Sequence, residues 1–281
     1  MRMKLGIVGG GRAAWAFGSA WAAGGGGIEG ISLRDSSVSR LPELLDAPRL
    51  AIDELVAGAD IVLVAVSDSA LPELCRSIAA IAPAERWLFH PSGSHPSSLF
   101  APHLRAFSLH PLRSLPPPGA EASLDGALLV FEGPVEAREV ASGIATRARA
   151  RLASISPEAK GTYHAAAVLA ANYPAALLSM CELLLRDAGV EGVGSDDIVA
   201  LAISAIENWG RSGGSARFTG PVVRGDAGIV RKHLDLLSDR PTMQSVYASL
   251  ALELCELVLQ QEPQNTRVRR VREALLAASL P

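Results

Sequence analysis

The sequence predicts an α/β fold in two parts: a doubly wound, mostly parallel sheet over residues 1–156 and an all-α domain over residues 157–281. Three observations carry this reading. A short apolar strand at Leu5–Val8 runs through Gly9, Gly10 and Gly11 straight into a helix. Further apolar runs each end in polar residues, as strands buried on both faces do. After Ser156 strand patterning gives way to helical periodicity, and no later segment reads as a strand.

The first turn has the spacing Gly9-x-Gly11-x-x-Ala14, a Rossmann-type dinucleotide-binding pattern in its required place between strand and helix. Gly9 allows the tight turn, Gly11 lets backbone approach a pyrophosphate, and Ala14 lets the helix pack close to the strand. The N–H groups that open the helix face the phosphates, so Gly9, Gly10, Gly11, Arg12 and Ala13 are the expected cofactor residues. Ala14, Phe17, Gly18 and Trp21 form the helix face that meets the sheet.

A second strand near Ile28–Leu33 stops at Arg34 and Asp35, where an acid selects NAD and an arginine accommodates the extra phosphate of NADP. Both types are present. Arg34 with the Ser36 and Ser37 hydroxyls favours NADP over NAD. The run Asp60–Val66 predicts a buried strand whose end, Val66, Ser67 and Asp68, forms a cofactor wall; Asp68 serves equally well as the N-cap of the next helix. Two more strands end in histidine, at His90-Pro91-Ser92 and at His110-Pro111, which brings His90, Ser92 and His110 toward the glycine turn if the strands are parallel. A histidine there either exchanges a proton near the nicotinamide or shapes a turn before proline. Gly126–Phe131 and Arg151–Ser156 read as the last strands, around a helix at Val135–Ala150.

The helical part opens with an Ala- and Leu-rich segment, Glu158–Ala188, with Pro174 as an expected kink. A helix this long and apolar is normally buried, and a second subunit would cover it, which predicts a homodimer. Along it Lys160, His164 and Asn172 form an interrupted polar stripe beside Tyr163, either a cleft-facing edge or a set of satisfied buried groups. Helices follow at Asp196–Arg211, from Ala227, at Pro241–Gln261 and at Thr266–Ser279. Arg224 precedes Asp226, a candidate N-cap, and His233 shares the face of Asp226.

Composition narrows the function classes. With 49% hydrophobic and 20% charged residues and a net charge of -3, the chain has no basic footprint for nucleic acid. Its three cysteines are far apart and suit reduced thiols in the cytoplasm, and its six histidines lack metal-ligand spacing. Arg12 and the glycines interrupt the apolar N-terminus, so neither a signal peptide nor a membrane span is read there.

The motifs YHAAAVLAANY at Tyr163–Tyr173, TGPVVRGD at Thr219–Asp226, VSDSAL at Val66–Leu71, HPSGS at His90–Ser94 and SLHPL at Ser108–Leu112, with Asn208 and His233, resemble a predicted-oxidoreductase family. That family pairs an N-terminal Rossmann-like domain with a C-terminal domain of unknown function. The resemblance implies a helical domain like that of 6-phosphogluconate dehydrogenase, a dimer through it, and a nicotinamide cofactor, usually NADP. Fold kinship extends to ketopantoate reductase and pyrroline-5-carboxylate reductase. The chain lacks the Lys-x-x-x-Asn pair of hydroxyacid dehydrogenases, since His164 follows Lys160 by one turn.

The reaction expected is hydride transfer between nicotinamide and the carbonyl or imine carbon of a small carboxylate-bearing metabolite. His164 is the first choice of proton donor or acceptor, with Lys160 or His110 behind it. Arg224 would anchor the substrate and Asn208 orient it, with Tyr163, Asn172 and His233 alongside. The alternative is a nucleotide-binding sensor that does no chemistry.

Overall fold

The structure is a computed structural model that describes residues 3–34, 39–121, 123–211 and 218–278. The chain divides into two compact units, Met1–Pro174 and Ala175–Pro281. The boundary expected at Ser156 marks the change of element type; by compactness the division falls later, because the first helix after the sheet remains tied to it by side chains.

In the first unit β1 (Lys4–Val8) leads through α1 (Arg12–Ala23) to β2 (Gly27–Ser32), and the chain returns by α2 (Leu41–Leu44) and α3 (Ile52–Gly58) to β3 (Ile61–Val64). Then α4 (Leu71–Ile81) precedes β4 (Trp87–His90), and a 3-10 turn at Ser97–Phe100 precedes β5 (Ala106–Leu112). The last strands, β6 (Leu128–Glu132) and β7 (Arg151–Ser154), flank α5 (Ala137–Arg147). The strand order is β2-β1-β3-β4-β5-β6-β7, parallel throughout except where β6 runs antiparallel to β5.

The sheet is buried on both faces, which is why its strands read as unbroken apolar runs. Along β3, Ile61 and Leu63 face one core with Ile7, Phe17, Phe89 and Phe107, while Val62 and Val64 face the other with Leu55, Ile78, Leu88 and Phe100. The Phe89 and Phe107 rings stack at 5.1 Å, and Phe17 meets Phe89 edge-on at 5.6 Å. Because β1 lies between β2 and β3, the chain leaves it in one direction and returns on the other, opening a crevice at the carboxyl ends of β1 and β3.

The long apolar segment is two helices, α6 (Lys160–Ala171) and α7 (Tyr173–Asp187), separated at Asn172. Pro174 lacks the N–H that would bond the carbonyl one turn back, and its ring disfavours helical geometry at Tyr173. The expectation of a buried helix is not met within the single chain. In α6 only Lys160 is buried, and α7 buries no residue. Together Pro157–Asp187 is long and apolar enough to cross a membrane, a property core helices of soluble proteins share.

The second unit continues with α8 (Ser195–Arg211), α9 (Pro221–Arg224), α10 (Ala227–Leu236), α11 (Pro241–Gln261) and α12 (Thr266–Ala278). Its core joins Val222, Val230, Leu234, Cys255, Val268, Val271 and Leu275. Among the described residues beyond Ser156 there is no strand, as the patterning predicts.

Candidate active site

The glycine turn is built by steric exclusion. Gly9 has φ of +109°, and a Cβ there would stand 2.2 Å from the Ala65 carbonyl oxygen at the end of β3. Its N–H donates to the Ser32 carbonyl at 2.9 Å, joining the turn to β2, and the Ser39 hydroxyl donates to the Gly10 carbonyl at 2.9 Å. Gly11, the N-cap of α1, has no side-chain cap, and a Cβ on it would meet nothing within 4 Å. The amide end of a twelve-residue helix therefore faces open space, while Ala14 on its inner face is fully buried. This cradle fits a pyrophosphate.

A cavity of about 670 Å³ surrounds the turn, and Gly9, Gly10, Gly11, Arg12, Ala13, Arg34, Val66 and Ser67, all cofactor candidates from the sequence, are among the residues that line it. Glu73 and Ser77 of α4 also line it, and sequence patterning had no reason to single them out. Arg34, two residues past the end of β2, is among the lining residues; Ser36 lies outside the described residues.

A second cavity of about 810 Å³ shares Arg12, Ala13 and Val66 with the first. Asp68, Ser92, His110, Arg113, Ser114, His164 and Asn172, with the shared Arg12, bring its polar groups, and Leu71, Leu112, Leu115 and the Ala167–Val168 face of α6 its apolar wall. Arg12 stands where the two cavities meet and donates to the Leu115 carbonyl at 3.1 Å. Asp68 is not the N-cap of α4, whose cap position is Ala70; its carboxylate lies 3.8 Å from His95 Nδ1. Ser92 and Ser94 reach the same ring nitrogen at 3.2 and 3.1 Å, so Asp68, His95 and Ser92 form no relay, which would need opposite ring nitrogens.

His110 and His164 meet at this cavity with their rings edge-on, 6.1 Å apart. Both rings pack against Gly93, where no side chain has room: a Cβ there would lie 2.7 Å from His164 Nδ1 and 3.1 Å from His110 Nε2. His164 Nδ1 is buried without a hydrogen-bond partner. His110 Nδ1 is hydrogen-bonded to the Tyr163 hydroxyl at 2.6 Å. Burial, with the charges of His164 and Lys160, pushes His110 down to about 4, against a smaller opposing effect of Asp68. Its ring is therefore neutral at neutral pH.

His90 and Lys160 take other places than those expected. His90 is fully buried; its Nε2 donates to the Pro96 carbonyl at 3.1 Å, and its Nδ1 accepts the Ser92 N–H at 3.3 Å. With both nitrogens used it shapes the 91–96 loop and lines neither cavity, and burial pushes it down to about 4. Lys160 donates to the Ser108 hydroxyl at 2.6 Å and the Ser92 carbonyl at 3.3 Å, with Glu132 at 3.8 Å. Glu132 accepts from the Ser97 N–H and hydroxyl at 2.7 and 2.8 Å and from the Ser108 hydroxyl at 3.1 Å. Burial pushes Lys160 below its usual range while Glu132 opposes the change. This network fastens α6 and the 91–96 loop to β5 and β6. A carboxylate ending the apolar run Leu128–Glu132 was the available signal for it.

Asn208, Arg224 and His233 belong to the second unit, where each has a partner. Asn208 accepts from Arg211 at 3.1 Å, Arg224 donates to Asp226 at 3.0 Å, and His233 Nδ1 is hydrogen-bonded to the Tyr247 hydroxyl at 2.8 Å. Asp226 occupies the N-cap of α10, yet its side chain makes no cap bond because it holds Arg224.

Residues 1–112 match the model of a Rossmann-like domain, and residues 127–254 match that of a domain of unknown function, DUF2520. Among solved structures, a candidate NADP oxidoreductase from Bacteroides fragilis is similar at TM-score 0.77 and 22% identity, over 89% of this chain and 96% of that one. A protein from Thermotoga maritima gives 0.68 and 24% over 92% and 99%. A reductive aminase from Aspergillus terreus, in complex with NADPH and ethyl levulinate, gives 0.61 and 16% over 100% of both chains. At these identities the likeness is one of fold. A search of curated proteins gives no match.

Proposed function

This chain belongs to the proteins that join a Rossmann-like domain to DUF2520, and from that premise we propose that it is an NADP-dependent oxidoreductase. The observation that carries the proposal is that two neighbouring cavities share Arg12, Ala13 and Val66 as lining: one surrounds an uncapped helix end and is also lined by Arg34, the other is lined by His110 and His164. NADP bound along the first would supply or accept a hydride at the second. Gly9, Gly10 and Gly11 would approach its pyrophosphate, Arg12 and Ala13 would add the helix end, and Arg34 would pair with the extra phosphate.

The substrate side would take a small molecule with a carbonyl or imine carbon. The Ala167–Val168 face would shield it from water, and His164 would exchange the proton that balances the hydride. The likeness in fold to an NADPH-bound reductive aminase supports this class of chemistry. Exposed Leu169, Leu201, Ile203, Ile206 and Trp209 on α6 and α8 support a homodimer that would cover them.

The test is steady-state oxidation of NADPH against a panel of small ketones, keto acids and preformed imines, with His164→Ala beside the unaltered protein. Turnover that falls at least about a hundredfold in His164→Ala, with NADPH affinity retained, supports the assignment. Equal losses of both would count against it.

A further inference from the structure

Resting on the oxidoreductase reading, we propose that Tyr163 is a positioning residue: its hydroxyl donates to His110 Nδ1 and so holds the ring proton on Nε2, where it hydrogen-bonds the substrate's carbonyl oxygen or imine nitrogen. The two side chains meet at 2.6 Å with their rings edge-on, 5.4 Å apart. Among the described residues the Tyr163 hydroxyl has no other hydrogen-bond partner, and a phenol with one partner gives its proton to the imidazole lone pair, the better acceptor of the two. Burial pushes Tyr163 up to about 12, so that proton is present throughout the working range.

With Nδ1 occupied, the remaining ring nitrogen of His110 is Nε2, which packs beside Gly93 closely enough that a Cβ there would lie only 3.1 Å away. His110 and Gly93 both line the second cavity. His90 makes the contrast: both of its nitrogens are used within the chain, leaving no edge for a ligand. The groups that bear on His110 are Tyr163 and His164 of α6, which meet its ring, and Lys160 and Asp68, which act on it through their charges. Burial outweighs the one carboxylate, so His110 stays neutral and polarises the double bond without surrendering its proton. The two histidines thus divide the work, His110 as hydrogen-bond donor and His164 as the group that exchanges the proton.

The experiment is nitrogen NMR of the full chain labelled in its histidines, with and without Tyr163→Phe. A single Nε2–H tautomer for His110 at pH 7 is expected, becoming a mixture in Tyr163→Phe, with turnover lowered about tenfold and NADPH affinity within about twofold. An Nδ1–H tautomer or an imidazolium in the unaltered protein overturns the proposal, and this reading needs no variant to fold. Unchanged tautomer and turnover in Tyr163→Phe overturn it as well. A locked Nε2–H ring in a protein that reduces no carbonyl or imine would overturn the polarising role and the oxidoreductase reading, while leaving the contact with Tyr163 standing.

Discussion

Lys160 and Glu132, each with a side chain 2% exposed, stand 3.8 Å apart with the Ser108 hydroxyl bonded to both. A buried pair of this kind is most costly when one member is removed, because the other is left charged and dry. Glu132→Leu should destabilise the protein by about 3–5 kcal/mol, since Lys160 keeps only two neutral acceptors. Lys160→Met should cost less, because Glu132 keeps three donors. Urea unfolding of both variants and their combination checks this, and a double variant as costly as the sum of the singles would deny the coupling.

Stability should fall on acidification through the window set by the two buried histidines. His90 and His110 are lowered from 6.5 to about 4, chiefly by burial. The unfolded chain takes up their protons near pH 6.5, whereas the folded chain resists until about pH 4, so protons favour unfolding between these values. Each histidine should account for roughly 3 kcal/mol across the window. Urea midpoints at pH 7, 6, 5 and 4 measure the slope, and His110→Asn should flatten it.

The glycine turn gives a contrast between neighbours. Gly9→Ala places a methyl group against the Ala65 carbonyl at a positive φ, so the thermal midpoint should drop and NADPH binding should be lost. Gly11→Ala has open space around it and should leave the midpoint unchanged. If phosphate sits on the helix end, the same methyl should raise the Kd for NADPH about tenfold or more, near 1.4 kcal/mol. Unchanged binding would move the pyrophosphate elsewhere.

The sheet was legible in the sequence because strands buried on both faces keep continuous apolar runs and end at polar residues. Even the Rossmann-type turn could be placed, since Gly9 answers to a single steric demand. Arg12, Arg34, Val66 and Ser67 followed from their place at the strand ends. His90 and His110 show the limit. Both precede proline on neighbouring strands, His90 at the end of β4 and His110 within β5, which continues through Leu112, yet one is sealed between Pro96 and Ser92 and the other lines the cavity. Which edge of a ring is left free depends on partners distant in sequence, such as Tyr163. Lys160 was misleading for a similar reason: on its helix it looks like the polar edge of a cleft, and its partner Glu132 belongs to another strand. Pro174 announced the break between α6 and α7, but apolar composition alone did not tell that their faces lie exposed in the single chain.

In the proposed complex NADP lies in the cavity lined by the glycine turn and Arg34, with its nicotinamide toward the neighbouring cavity of His110 and His164. Titration of the purified chain with NADPH and with NADH, followed by nicotinamide fluorescence and the thermal midpoint, tests it most directly. NADPH should bind at least about tenfold tighter than NADH, and Arg34→Ala should remove that preference. Failure of both nucleotides to bind or to raise the midpoint would contradict it.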